Sequence, residues 1–194
     1  MRILLLESHP GVARDAVAEL TGAGHTIVSC TTEDREFPCR GLAGSDDCPL
    51  DGHVDVAVLA QEQGVDQLAH GAVCAARSRI PVIDIGPGSA PEAGGFRRWE
   101  PGVVSLPATC AAAAADGSAH ARALRNGLAT LGVAPGEVAV EVAREPRRLR
   151  VTLSLSDSVR AREHDIVRFT ANLARRYDPR VPVIDVVIAA LQPA

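Results

Sequence analysis

The chain has 194 residues, with 20 basic against 24 acidic side chains, and is 46% hydrophobic but only 3% aromatic. That length suits one ordinary domain or two small ones with a core of Ala, Val, Leu and Ile; so few aromatic rings leave little on which bases or sugars could stack, which disfavours nucleic-acid binding. Every basic residue is arginine, a bias expected of a GC-rich bacterial genome, so Schiff-base chemistry, a P-loop lysine and a lysine general base are excluded throughout.

The first apolar run, "RILLLE" (2–7), reads as a buried strand. It is too short for a signal-peptide core, and no segment reaches the ~18 consecutive apolar residues of a membrane span, so a cytoplasmic protein without membrane association is expected. "VARDAVAELTGAG" follows as a helix with Val12, Ala16, Val17 and Leu20 on one face and a glycine stop. "HTIVSC" (25–30), "VDVAVLA" (54–60), "IPVIDI" (80–85) and "GVVSL" (102–106) are further strands, rich in Val, Ile and Leu with little alternation, as in parallel strands covered on both faces. "VDQLAHGAVCAARSR" supplies a helix between the third and fourth. Residues 31–53 and 86–102 are long connections rich in Gly, Pro and acids, and loops of that length tend to be functional or disordered.

Beyond "PATCAAAAADGS" the pattern changes. "SAHARALRNGLATLG" (118–132) is a helix, and "EVAVEVAREPRRLRVTLSLS" (137–156) alternates on both sides of a polar turn as an antiparallel hairpin does. A helix carrying Val159, Ile166, Phe169, Leu173 and Tyr177, then the strand "VPVIDVVIA", complete the chain. The expectation is an α/β doubly wound, parallel five-stranded sheet over residues 1–115, followed by a small α+β (αββαβ) domain over 118–194. Residues 1–110 hold 15 acids against 8 arginines, net −7, and residues 111–194 hold 9 acids against 12 arginines, net +3. The arginines of the second part invite a DNA reading, but a hairpin, helix and strand stand where three helices before a wing would be needed. Most are expected to line a solvated face.

"ILLLESHPG" with "ARDAVAELTGAGHTIV", then "VDVAVLA", "IPVIDIG" and "VVSLP", resembles the receiver domain of bacterial response regulators, over residues 2–107 only. The resemblance implies a flavodoxin-like sheet of order 2-1-3-4-5. A working receiver moves a phosphoryl group onto an aspartate with acids to hold Mg²⁺ and hydroxyl and lysine partners for the phosphoryl oxygens. Position by position, the resemblance places the acid pair on Ser8 and His9 beside Glu7, the acceptor on Ala60, the hydroxyl on Gly86 and the lysine on Leu106. A methyl group accepts no phosphate, so this is the pattern of a degenerate pseudo-receiver. Asp55 and Asp84 are shifted candidates, but both are read inside strands rather than at carboxyl ends, where open α/β sheets place ligands. Ser8 and His9, being adjacent in extended chain, point apart and cannot form a nucleophile–base pair; Ser8 is read instead as a helix N-cap.

Cys30, Cys39 and Cys48 recur every nine residues, with His53 following. They sketch a zinc or iron–sulfur site, or a Cys39–Cys48 redox pair, but lack the tight Cys spacing such sites ordinarily use. Cys74 and Cys110 read as small core residues. "GPGSAPEAGG" lacks both phosphate-loop signatures. Phe96, Arg97, Arg98 and Trp99 place aromatics beside arginines, the usual anchors of a protein contact. The expected function is therefore non-catalytic and regulatory, through a protein partner or self-association and without cofactor. The alternative is a thiol or metal sensor using Cys30, Cys39 and Cys48. The sequence leaves any small-molecule ligand open.

Overall fold

A computed structural model describes residues 1–30, 48–62, 70–86, 96–145 and 147–191. The chain divides into two compact units, Met1–Ala114 and Ala115–Ala194.

The first unit is an all-parallel five-stranded sheet of β1 (Arg2–Glu7), β2 (Thr26–Ser29), β3 (Val56–Ala60), β4 (Val82–Asp84) and β5 (Phe96–Arg98), in the order β2-β1-β3-β4-β5. That order is compatible with a flavodoxin-like fold. Because successive strand side chains point to opposite faces, β1 serves two separate cores. Ile3 and Leu5 pack with Val56, Val58 and Ile83 under helices α1 (Arg14–Gly22) and α3 (Leu106–Ala115). Leu4 and Leu6 pack with Ala57, Leu59 and Val82 under α2 (His70–Arg77) and a 3₁₀ turn at Pro49–Asp51. All five residues of β3 are buried, which explains why its sequence shows no alternation. Helix α2 approaches β1 closely at Gly71, where a Cβ would overlap the Leu6 side chain and stand 3.3 Å from Cys30 Sγ.

One strand is not where its sequence suggested. The run at 102–106 forms a turn leading into α3, with Val103 73% and Val104 50% exposed. The fifth strand is Phe96–Arg98, paired in parallel to β4 with Val82 opposite Phe96 and Asp84 opposite Arg98. An edge strand needs fewer apolar residues than a central one, because one side of its backbone is open, so "FRR" can serve there. Helix α1 also begins later than its apolar pattern implied, at Arg14.

The second unit runs α4 (Ser118–Thr130), β6 (Val138–Glu145), β7 (Arg148–Leu155), α5 (Asp157–Arg160), α6 (Glu163–Tyr177) and β8 (Val183–Ala190). It matches the expected element order apart from the extra short helix α5. The sheet order is β6-β7-β8, antiparallel between β6 and β7 and parallel between β7 and β8. Val138 and Val140 of β6 and Leu149, Val151, Leu153 and Leu155 of β7 turn inward to Leu124 and Leu128 of α4 and Ile166 and Ala174 of α6. The alternate residues form an open face, so the strict alternation in the sequence reflects a sheet covered on one side only.

Where α4 begins, Gly117 lies against the β6 backbone, and a Cβ there would overlap the Val142 carbonyl. Gly117→Ala is expected to destabilise this unit by about 1–3 kcal/mol, the usual cost of overpacking. Gly136→Ala is the control, since nothing lies within 4 Å of the place its methyl group would take. Urea unfolding followed by far-ultraviolet circular dichroism reads both, and equal midpoints would contradict the packing described.

Candidate functional site

In a sheet of this order the chain's progression across the strands reverses between β1 and β3, and ligands of open α/β sheets bind at the carboxyl edge of such a point. The structure brings Glu7, Ser8, His9, Ala60 and Gly86 together along that edge. Glu7 ends β1 directly opposite Ala60, which ends β3. Glu7 Oε1 accepts the N–H groups of Gly11 (3.1 Å) and Ala13 (3.0 Å), in the turn that leads into α1. Ser8 is not the N-cap expected of it: that position falls to Ala13, and no side chain caps the start of α1. Ser8 instead ties two strand ends together: its N–H donates to the Ala60 carbonyl (3.0 Å), and its Oγ accepts the Glu62 N–H (3.2 Å). His9 Nδ1 lies 3.6 Å from Glu62 Oε2, with both side chains more than half exposed.

Asp84 is the last residue of β4 and so stands at the carboxyl edge rather than within the strand. It is buried, and its Oδ1 accepts the Gly86 N–H at 3.0 Å. A Cβ on Gly86 would stand 2.5 Å from the Gln61 carbonyl oxygen, so the turns after β3 and β4 meet backbone to backbone. Any side chain at 86, a hydroxyl included, would push them apart.

Leu106 does not belong to this edge. It is the fully buried first residue of α3, and its N–H donates to Glu19 Oε1 of α1 at 3.2 Å. With β5 at Phe96–Arg98, the residues that follow the fifth strand are Trp99 and Glu100, neither of them a lysine.

In the "FRRW" segment Phe96–Arg98 form the edge strand β5, and Trp99 follows it. Phe96 packs in the α2 layer, and Trp99 packs in the α1 and α3 layer, its Nε1 donating to the Val104 carbonyl at 2.7 Å. Arg97 and Arg98 are exposed, and Phe96 and Trp99 are partly buried.

The cysteine constellation is divided by the sheet. Cys30 follows β2 at the carboxyl edge and is buried, whereas His53 precedes β3 at the amino edge. There His53 Nε2 lies 2.7 Å from Asp55 Oδ1, and Asp55 Oδ2 accepts the Arg2 N–H at 2.7 Å. Asp55 is thus tied to β1 at the end remote from the switch point. Strand residues advance about 3.3 Å each, and zinc bonds are about 2.0–2.3 Å long, so Cys30 and His53 cannot share an ion. Cys48 is half-buried before the 3₁₀ turn, and Cys39 lies outside the described residues. Among the described residues Cys48, Cys74 and Cys110 are free thiols. Burial, aided by the Glu19 charge, pushes the Cys110 thiol up to about 12, which leaves it protonated and unreactive at neutral pH. Among the described residues no three His, Cys, Asp or Glu side chains converge as a metal site.

A second polar cluster, in the other unit, escaped the sequence reading. His120 of α4, Asp178 beyond α6 and Arg144 of β6 meet inside the fold: His120 Nε2 lies 3.0 Å and Arg144 Nη2 3.8 Å from Asp178 Oδ2. The Tyr177 ring stands edge-on to His120, with centroids 5.1 Å apart. The signal was present, since His120, Leu124 and Leu128 share one buried helical face at a spacing of four. Burial of His120 and Asp178 closes the cluster to substrate, so it acts as a tie between α4, β6 and the end of α6.

Compared with models of known protein families, with curated proteins and with solved structures, the chain matches none. Among the described residues no helix is long and apolar enough to cross a membrane.

Burial pushes the Asp178 carboxyl up, but the His120 hydrogen bond and the Arg144 charge outweigh it and hold the group below the ordinary 3.8. The unfolded chain therefore takes up this proton first as pH falls. The stabilisation is full above pH 3.8 and is lost as pH drops from there through the lower folded value. Asp178→Asn should cost about 1–3 kcal/mol at neutral pH. The gap to wild type, measured by urea unfolding, should narrow across that acid window, and a gap independent of pH would contradict the assignment.

Proposed function

We infer that the first unit is a receiver-like module without phosphoryl chemistry, serving a non-catalytic, regulatory role through protein contact. The observation that carries this reading is Ala60: the carboxyl end of β3, where the resemblance puts the phosphoryl acceptor, ends in a buried methyl group.

The neighbouring positions support it for independent reasons. Glu7 is occupied by two main-chain N–H groups of the α1 entry. Gly86 lacks the hydroxyl, and the Gln61 backbone fills the space one would need. No lysine exists in the chain to meet phosphoryl oxygens. In such folds the loops at the carboxyl edge of the sheet position contacts with other molecules, which supports a role through protein contact.

The reading is tested by exposing the full chain to Mg²⁺ and a small acyl phosphate donor and following its intact mass. No phosphoryl addition is expected. An adduct mapped to Asp84, Glu7 or Glu62 would overturn the reading, because one of the remaining acids would then be a working acceptor.

A further inference from the structure

The two edges of the three-stranded sheet are treated differently. The β6 edge is obstructed: Asp116 forms a bridge with Ala143, Gly117 presses on the Val142 carbonyl, and Glu141, Arg144 and Glu145 add charge along the strand. These are the devices by which sheets prevent unwanted pairing.

The β8 edge has none of them. It runs eight residues in unbroken register with β7, from Arg148 opposite Val183 to Leu155 opposite Ala190. It contains no proline and one charge, Asp185, and among the described residues no strand pairs with its outer side. Val187 is 46% exposed, and Ile184, Val186 and Ile188 are only partly covered by the core they face. An open groove of about 660 Å³ runs beside it, lined by Arg150, Thr152, Ile184, Asp185, Val186 and Val187.

We propose that β8 pairs antiparallel with β8 of a second copy, joining two three-stranded sheets into one of six strands about a two-fold axis through Val187. Charge selects this occupant. Asp185 is matched within its own chain by Arg148 at 3.4 Å, and Arg150 lies 3.9 Å from Glu145, so the surface beside the strand is internally neutralised and offers little attraction to a charged peptide or nucleic acid. An apolar, uncharged strand edge suits it, and β8 is such a strand.

The register follows from side-chain parity. Directly opposed residues of antiparallel strands share a face, so a two-fold contact must pass through a residue rather than between two. With the axis at Val187, that exposed side chain meets its own copy, Val186 meets Ile188, Ile184 meets Ala190 and Asp185 meets Ala189. The two Asp185 carboxylates then lie four strand positions apart, about 13 Å along the strands. An axis through Asp185 itself would oppose like charges.

This contact belongs to the second unit and does not depend on the reading given for the first. Sedimentation velocity of the full chain over a concentration series should show a monomer–dimer equilibrium. Val187→Lys sets two ammonium groups face to face at the axis and should weaken association by roughly tenfold or more. Glu141→Lys on the opposite edge should leave it unchanged. Hydrogen exchange on the wild-type chain supplies a reading that needs no variant: amides of 183–190 should gain protection as concentration rises. A wild-type monomer at every concentration, an open-ended polymer, an undiminished dimer in Val187→Lys, or concentration-independent exchange at 183–190 would each overturn the proposal.

Discussion

The first unit depends on one constraint: β3 lies at the centre of a sheet covered on both faces, so every residue from Val56 to Ala60 must be apolar and must fit its layer. Neighbouring strands inherit the demand in proportion to their distance from the centre. β1 buries four consecutive residues, Ile3 to Leu6, whereas β2 at one edge is only partly covered and β5 at the other exposes both of its arginines. Two-sided burial also fixes where polarity is allowed, namely at strand ends. Glu7, Asp55 and Asp84 all stand there, and each accepts at least one main-chain N–H group.

That pattern gives the carboxyl edge its character. Ser8 bridges the ends of β1 and β3, and Gly86 lets the turn after β4 close against Gln61. A crevice that could hold a phosphoryl group needs acids held apart by solvent or a cation, with space between the turns. Here Glu7, Ser8 and Asp84 accept main-chain N–H groups, and the turns after β3 and β4 meet. Their hydrogen bonds stabilise the edge by joining chain segments, each contributing on the order of 1 kcal/mol.

The same physics decides what could be seen in the sequence. Strands β1, β3 and β4 were legible because continuous apolar runs are what a doubly covered strand requires. β5 was not, because an edge strand tolerates "FRR", while the more strand-like "VVSL" turned out to hold two exposed valines ahead of a helix. The way Glu7 holds the turn before α1 was hidden for a related reason: the start of α1 depends on where Gly11 bends the chain, with a φ of +89°, and apolar spacing does not report it. Trp99 beside two arginines reads as a contact anchor, and the sequence does not report that part of its indole also packs on the layer beneath it. The layer containing Leu106 and Cys110 supplies its place. The buried tie between His120 and Asp178 joins residues 58 positions apart, a distance over which no local pattern speaks.

In the second unit the governing feature is one-sidedness. Alternation along β6 and β7 supplies a single apolar face, which α4 and α6 cover, and leaves the other to Arg148, Arg150, Thr152 and Ser154. A three-stranded sheet covered in this way has two edges to protect. The chain protects β6 through the α4 entry at Asp116 and Gly117, where the cost is a glycine without freedom to carry a side chain. At β8 the inner side chains Ile184, Val186 and Ile188 are only partly buried against the core. The apolar strip thus continues to the margin of the fold, where hydrophobic burial and unsatisfied backbone pairing both favour one further strand.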